Sequence, residues 1–189
     1  MNIRQGLAHG RILPAVKHIS DISRLLPLSR ASIVIVLGGS INELPEIQRV
    51  RAKHPEKLVF MHVDLLEGIG RDAEGIRFLK KFGLHGIVSV KSRLLNYAKD
   101  NGLLTIQRLF LLDSESLATG LRQMEKNSPD AIEILPAVVP ENVISEFKRV
   151  TDRPLLGGGL MRTEKDIELA LANGFDGVSV SRQSLWNMT

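Results

Sequence analysis

The chain has 189 residues, 43% of them hydrophobic and 24% charged, enough for a sizeable core and ordinary for a globular domain. It contains no cysteine, which excludes disulfides, thiolate nucleophiles and cysteine-ligated zinc. Aromatic residues make up only 4% and the net charge is +4. The first argues against recognition by extended base stacking, and the second suits nucleic acid or an anionic metabolite without choosing between them.

Met1 to Gly10 shows no apolar run followed by a small-residue cleavage site, and no stretch approaches the ~18 apolar residues that span a bilayer. A cytoplasmic location with no membrane partner is therefore expected. Along the chain, strand-length apolar runs alternate with helical periodicity. Strands are predicted near Ile12–Val16, Ser32–Leu37, Leu58–Asp64, Gly86–Val90, Leu103–Leu109, Ala131–Leu135, Pro154–Gly158 and Gly177–Ser181. Between them the pattern predicts helices near Ser20–Leu26, Leu44–Lys53, Asp72–Phe82, Arg93–Asn101, Ser114–Asn127, Glu141–Val150 and Glu164–Ala172, with a short last turn after Arg182.

Boundary residues support these spans. Asp113 and Thr163 are candidate N-caps, the latter in a capping-box spacing with Asp166. Pro140 suits a first helical turn, and Gly83, Gly102 and Gly174 stand where left-handed C-caps belong. Eight strands alternating with helices imply a parallel sheet. The fold expected is an α/β protein, a compact TIM-like (β/α)8 barrel in one domain, smaller than the ~250 residues usual for the type. An open doubly wound sheet is the competitor.

In a barrel, strand residues alternate between the helix layer and the interior. Taking apolar positions as outward, Met61 and Val63 put His62 and Asp64 inside, and Val88 and Val90 put Ser89 and Lys91 inside. Ile106 puts Thr105 and Gln107 inside, Ile132 and Ile134 put Glu133 inside, and Val178 and Val180 put Ser179 and Ser181 inside. Buried polar groups are costly unless paired or met by a ligand. Two readings follow: a self-satisfied network, for instance Lys91 or Arg108 with Asp64 or Glu133, or a pocket for a small polyol phosphate at the mouth of the barrel.

The last two strand-to-helix segments, Leu155-Leu156-Gly157-Gly158-Gly159-Leu160 and Gly177-Val178-Ser179-Val180-Ser181-Arg182, bear on that choice. In eight-stranded barrels these loops commonly bind phosphate through bare backbone N–H groups. Glycine admits close approach and serine adds a donor without bulk. His9, His18, His54 and His85 show no metal-ligand spacing, no metal or other cofactor is implied, and no Ser-His-Asp order is visible.

Met61-His62-Val63-Asp64-Leu65-Leu66-Glu67-Gly68-Ile69-Gly70-Arg71-Asp72, Ile106-Gln107-Arg108-Leu109-Phe110-Leu111-Leu112-Asp113-Ser114 and Ile132-Glu133-Ile134-Leu135-Pro136 carry a further signal. With the glycine segment ending in Arg162-Thr163, the tail Ser179 to Trp186 and the start Ile12-Leu13-Pro14-Ala15-Val16, they resemble the glycerol uptake operon antiterminator family over nearly the whole chain. The resemblance implies a barrel that senses glycerol 3-phosphate as its effector and acts on leader mRNA of glycerol-catabolic genes. It would prevent termination and stabilise the transcript, as a regulator with no catalytic residues.

Matching segment to segment, Gly158, Gly159 and Ser181 are the phosphate contacts so implied; Arg182, where the chain departs from the family, would add charge beside the phosphate, and Lys91 is a further candidate ligand-binding residue. Asp64, Gln107, Arg108 and Glu133 are implied at the polyol end or in the network around it. Two departures stand out. Val180-Ser181-Arg182 replaces the family's Thr-Ser-Asn or Thr-Ser-Ser, and Ser89-Val90-Lys91 replaces Ser-Thr-Arg or Ser-Thr-Lys. Basic residues on the third and fourth helices (Arg71, Arg77, Lys80, Lys81, Lys91, Arg93, Lys99) could meet RNA phosphates or form a solvated face. A homo-oligomer is left open. The competing readings are a barrel isomerase, aldolase or phosphodiesterase using Asp64, Glu133 or His62 as acid/base and Lys91 as Schiff-base amine, and a metabolite sensor acting through a protein partner.

Overall fold

The computed structural model describes residues 1–188. Eight parallel strands close into a barrel: β1 (Ile12–Val16), β2 (Ile33–Val36), β4 (Leu58–His62), β6 (Gly86–Ser89), β7 (Leu104–Phe110), β8 (Ala131–Leu135), β9 (Leu155–Gly158) and β10 (Gly177–Val180). The first and last pair with each other, Ile12 with Val178 and Leu13 with Ser179. Two further strands, β3 (Gly39–Ser40) and β5 (Leu66–Glu67), pair separately and tie the loops after β2 and β4. Closure rather than an open sheet is thus the observed solution, and the barrel strands run mostly four or five residues.

The helices after β2 to β9 follow the predicted spans closely: α3 (Leu44–Lys53), α4 (Ala73–Lys81), α5 (Ser92–Asp100), α6 (Ser114–Lys126), α7 (Glu141–Val150) and α8 (Glu164–Ala172). Asp113 caps α6 and Thr163 caps α8, each in a capping box. The one α-helical stretch between β1 and β2 shrinks to α2 (Ile22–Leu25), with single 3-10 turns on either side. Pro27 lies in the second of these, where a missing N–H and a fixed φ stop α-helix propagation.

An N-terminal helix, α1 (Ile3–Ala8), was not anticipated. Asn2 and Gln5 form its capping box, the spacing by which it could have been recognised. Its Ile3 and Leu7 are buried against Leu13, Ile33, Leu58 and Phe60 and stopper the bottom of the barrel. Burial of each such side chain stabilises by roughly 1.5–3 kcal/mol. A larger apolar shell, including Met61, Ile87, Ile132, Ile134, Val178 and Val180, lies between the strands and the helices.

Candidate functional site

All eight barrel strands are parallel, so their carboxyl ends share one mouth; Asp64, Lys91, Gly159, Ser181 and Arg182 lie just past strand ends there, and Gln107, Arg108, Glu133 and Gly158 within the strands. The lower interior is apolar, built from Leu13, Ile33, Ile35, Phe60, Val88, Ile106 and Leu156. Above it comes a polar layer of His62, Arg108, Glu133 and Ser179, all buried.

Two strands point the opposite way from the sequence expectation. His62 is in register with Val88, and Val88 with Ile106, so Val88 and Ile106 face inward with Phe60. Ser89, Thr105 and Gln107 therefore belong to the outer face. Apolar identity could not discriminate here because the floor of the barrel is as apolar as its jacket. Gln107 is buried; its Nε2 donates to the Val90 carbonyl at 3.1 Å and its Oε1 accepts from Ser92 Oγ at 3.2 Å. It fastens the β6–α5 loop. Thr105 Oγ1 donates to Asp130 Oδ2 at 2.9 Å. Lys91 and Ser181 are not inside either; Lys91 stands exposed on the loop that leads into α5, and Ser181 stands exposed just past the end of β10.

The polar layer is largely self-satisfied, with the partner Arg108 chooses being Glu133. Arg108 Nε donates to Glu133 Oε2 at 2.7 Å, and Ser179 Oγ donates to Oε1 at 2.5 Å. Strand register enforces this, since Arg108 and Glu133 are direct neighbours on β7 and β8. Buried pairs of this kind are costly to break by removing one partner, because the other charge is then stranded.

Asp64 sits just past β4, on a 3-10 turn (Val63–Leu65), and does not continue the strand. Its Oδ2 accepts from Ser89 Oγ and from the Val90 amide, both at 2.9 Å. His62 Nε2 lies 3.5 Å from the same oxygen and 3.4 Å from Arg108 Nη1. Burial first, and the Arg108 guanidinium second, push the His62 pKa down to about 4. The ring is therefore neutral at pH 7. Among the described residues, His62 Nδ1 and Asp64 Oδ1 are buried without a hydrogen-bond partner, a costly state that a ligand hydroxyl or a water relieves.

The phosphate end is built from backbone. Gly158 and Ser179 are in register, so the loops after β9 and β10 leave the barrel side by side. Gly158 is needed for packing: a Cβ there would meet Ser179 Oγ at 2.7 Å and Glu133 Oε1 at 3.0 Å. Gly159 differs. Its φ is +75°, nothing lies within 3.5 Å of the position a Cβ would take, and Leu160 follows at φ 59°. Among the described residues, the amides of Gly159, Leu160, Ser181 and Arg182 are matched to no acceptor within the chain. The start of α8 is closed by contrast, because Asp166 Oδ2 accepts from the Arg162 and Thr163 amides and Thr163 Oγ1 accepts from Asp166 N–H.

Lys17 was missed. It follows β1, is exposed, and lines two adjoining clefts: one of about 260 Å³ with Ala15, Asp21, Ser181 and Gln183, and one of about 510 Å³ with Gly38, Ser40, Leu65 and Glu67. A lysine directly after the first strand was the available signal, since strand ends at this face are where barrels place functional side chains.

The helical cations are mostly occupied. Arg71 donates to the carbonyls of Asp64, Leu66 and Ile69, and Lys99 to that of Ser128. Lys80 bonds the Asn101 carbonyl, and Arg77 pairs with Glu74. Among the described residues no group of three His, Asp or Glu side chains is placed to hold a metal ion, and no helix is long and apolar enough to cross a membrane.

Known proteins share this family and fold. The sequence profile of the family described as glycerol-3-phosphate responsive antiterminator matches residues 12–186. A glycerol uptake operon antiterminator regulatory protein from Listeria monocytogenes is 30% identical, with 94% of this chain and 95% of that one covered and a TM-score of 0.84. A related protein from Thermotoga maritima is 29% identical, with coverage of 94% and 98% and a TM-score of 0.80. The uncharacterised protein YgcP of Escherichia coli K12 is 32% identical over 183 residues, covering 96% of this chain and 94% of its own. Several barrel enzymes also superpose at 11–15% identity, a likeness that shows the fold alone.

Proposed function

Because the chain belongs to the glycerol-3-phosphate responsive antiterminator family, we propose that it is a regulator that binds glycerol 3-phosphate at the barrel mouth and, so loaded, binds leader mRNA of glycerol-catabolic genes. Loading would prevent termination and stabilise the transcript. The observation that carries the ligand half is the pair of neighbouring rim turns whose amides, at Gly159, Leu160, Ser181 and Arg182, have no acceptor among the described residues. Such amides are ready donors for a phosphate dianion. Lys17, Lys91 and Arg182 supply positive charge on the same face.

At the other end, the unpartnered Asp64 Oδ1 and His62 Nδ1 suit hydroxyl groups. Arg108 and Glu133 lie beneath as a fixed polar floor, since each already holds the other. Gln107 acts at one remove, by holding the loop that carries Lys91.

Gating requires that the ligand bind the RNA-competent state better than the other. Rim loops are suited to this role, since a phosphate bridging the β9 and β10 turns restrains both. RNA phosphates would then meet cations of the same face, with binding that weakens as salt rises.

The enzyme reading has less support. Both oxygens of Glu133 are engaged, and Lys91 stands in solvent, not in the apolar enclosure that Schiff-base lysines use.

Calorimetry with glycerol 3-phosphate, glycerol and inorganic phosphate tests the ligand half, with the intact metabolite expected to bind more tightly than either fragment. A leader-RNA titration with and without the metabolite tests gating. RNA affinity that does not respond to glycerol 3-phosphate would defeat that half of the proposal.

A further inference from the structure

Three loops that leave the barrel side by side carry large apolar side chains into solvent. Phe110 ends β7 at 52% exposure and Leu112 follows at 83%; Val138 on the β8–α7 loop and Leu160 on the β9–α8 loop are each 58% exposed. Main-chain bonds lace these loops together, from Leu111 N–H to the Leu135 carbonyl at 2.8 Å and from Ala137 N–H to the Gly158 carbonyl at 2.7 Å. The four side chains therefore form one patch. Its apolar area is on the order of 400 Å², in the range of the largest patch on a typical monomer, which is often functional. Leu160 stays in the left-handed region, with φ 59°, a backbone unfavourable for a leucine, while its side chain remains in water.

Charge is distributed unevenly about the patch. Exposed Asp113 and Glu115 stand on its β7 side, and exposed Arg162 and Arg182 on its β9 and β10 side, where exposed Glu164 and Lys165 add one charge of each sign and leave that side net basic. None of Asp113, Glu115, Arg162 and Arg182 takes part in an ion pair among the described residues. A two-fold axis through the apolar centre would set the acidic side of one copy against the basic side of the other, the self-complementarity that isologous contacts require. The chemistry also favours protein. Three aliphatic side chains and one phenyl ring make the core of a protein interface, whereas single-stranded RNA is held by several aromatic platforms.

We propose that this arc of the rim is a self-association surface on which a second copy of the chain docks about a two-fold axis. The surface borders the proposed phosphate turns, with which it shares Leu160 and Arg182, but its primary test uses neither ligand nor RNA. Sedimentation equilibrium of the full chain, from low to high micromolar concentration, should show a monomer–dimer transition. Leu112→Glu should weaken the dimer by roughly a hundredfold, as truncation of a central interface residue does, with the thermal melt of the monomer unchanged because the side chain is exposed. Glu115→Arg should weaken it too, and adding Arg162→Glu should restore it by re-pairing the charges. A monomer at every concentration, or a dimer indifferent to Leu112→Glu, overturns the proposal. So does a Leu112→Glu protein whose self-association is normal but whose leader-RNA binding is lost, since the patch would then be a nucleic-acid surface.

Discussion

Replacing Gly159 separates the electrostatic part of the proposed phosphate site from its backbone part. Asparagine and aspartate have nearly the same shape and both tolerate the left-handed region, so at φ +75° they carry similar backbone strain. Each should cost roughly 1 kcal/mol of stability, or about 2–4 °C in melting temperature for a chain of this size. They differ in one charge. A carboxylate about 6 Å from a phosphate dianion is repelled by roughly 1–5 kcal/mol as the effective dielectric constant runs from water to a half-buried surface. Near the aqueous limit that is about tenfold in affinity, and toward the buried limit several thousandfold. Calorimetry should therefore find glycerol 3-phosphate bound at least about tenfold more weakly by Gly159→Asp than by Gly159→Asn, with the gap narrowing as salt is raised. If the two variants bind the metabolite equally, with melting temperatures that also agree, the anion is not held by this turn and the site must be sought elsewhere on the rim.

Other perturbations test the supporting structure. Arg108→Met strands Glu133, which is fully covered, and should destabilise by about 3–5 kcal/mol; urea denaturation showing a loss below about 1 kcal/mol would mean the carboxyl has found another partner. His62 is held near pKa 4, below its usual 6.5. Between those values the unfolded chain binds more protons than the folded one, so the His62 contribution is fully present above pH 6.5 and is lost as pH falls toward 4. That amounts to about 3 kcal/mol across the window, and the pH dependence of stability should flatten in His62→Gln. Leu7→Ala opens the stopper at the foot of the barrel and should cost about 2–5 kcal/mol, with metabolite affinity unchanged at temperatures where the variant is folded. Lys17→Gln should leave the melting temperature alone and weaken glycerol 3-phosphate several-fold, a result that a lysine with no part in the site would not produce.

Much of this molecule follows from local pattern. Alternating apolar runs and amphipathic stretches were enough for eight strands and most of the helices, because each unit buries one face regardless of what its neighbours do. Caps were equally legible: Asp113 and Thr163 act on amides three residues away, a range over which sequence and structure coincide. The two glycine- and serine-bearing turns were recognised for the same reason, and their amides prove unmatched within the described residues. The matching segments also led to the correct family.

Orientation across strands needed the tertiary structure. Whether Gln107 or Arg108 faces the interior is a question of register between β7 and its neighbours, and a one-residue difference reverses every side chain on the strand. The apolar floor made Val88 and Ile106 look like jacket residues, and only pairing with β4 and β8 turned them inward. Likewise Glu133 could have met Lys91 or Arg108. The pairing of adjacent strands placed the guanidinium opposite the carboxylate and left the amine in solvent. Sequence alone determined which units this chain makes and which turns end them, since those depend on contacts within a few residues. Barrel closure decided which polar groups meet beneath the mouth, because it brings together residues as far apart as His62, Arg108, Glu133 and Ser179.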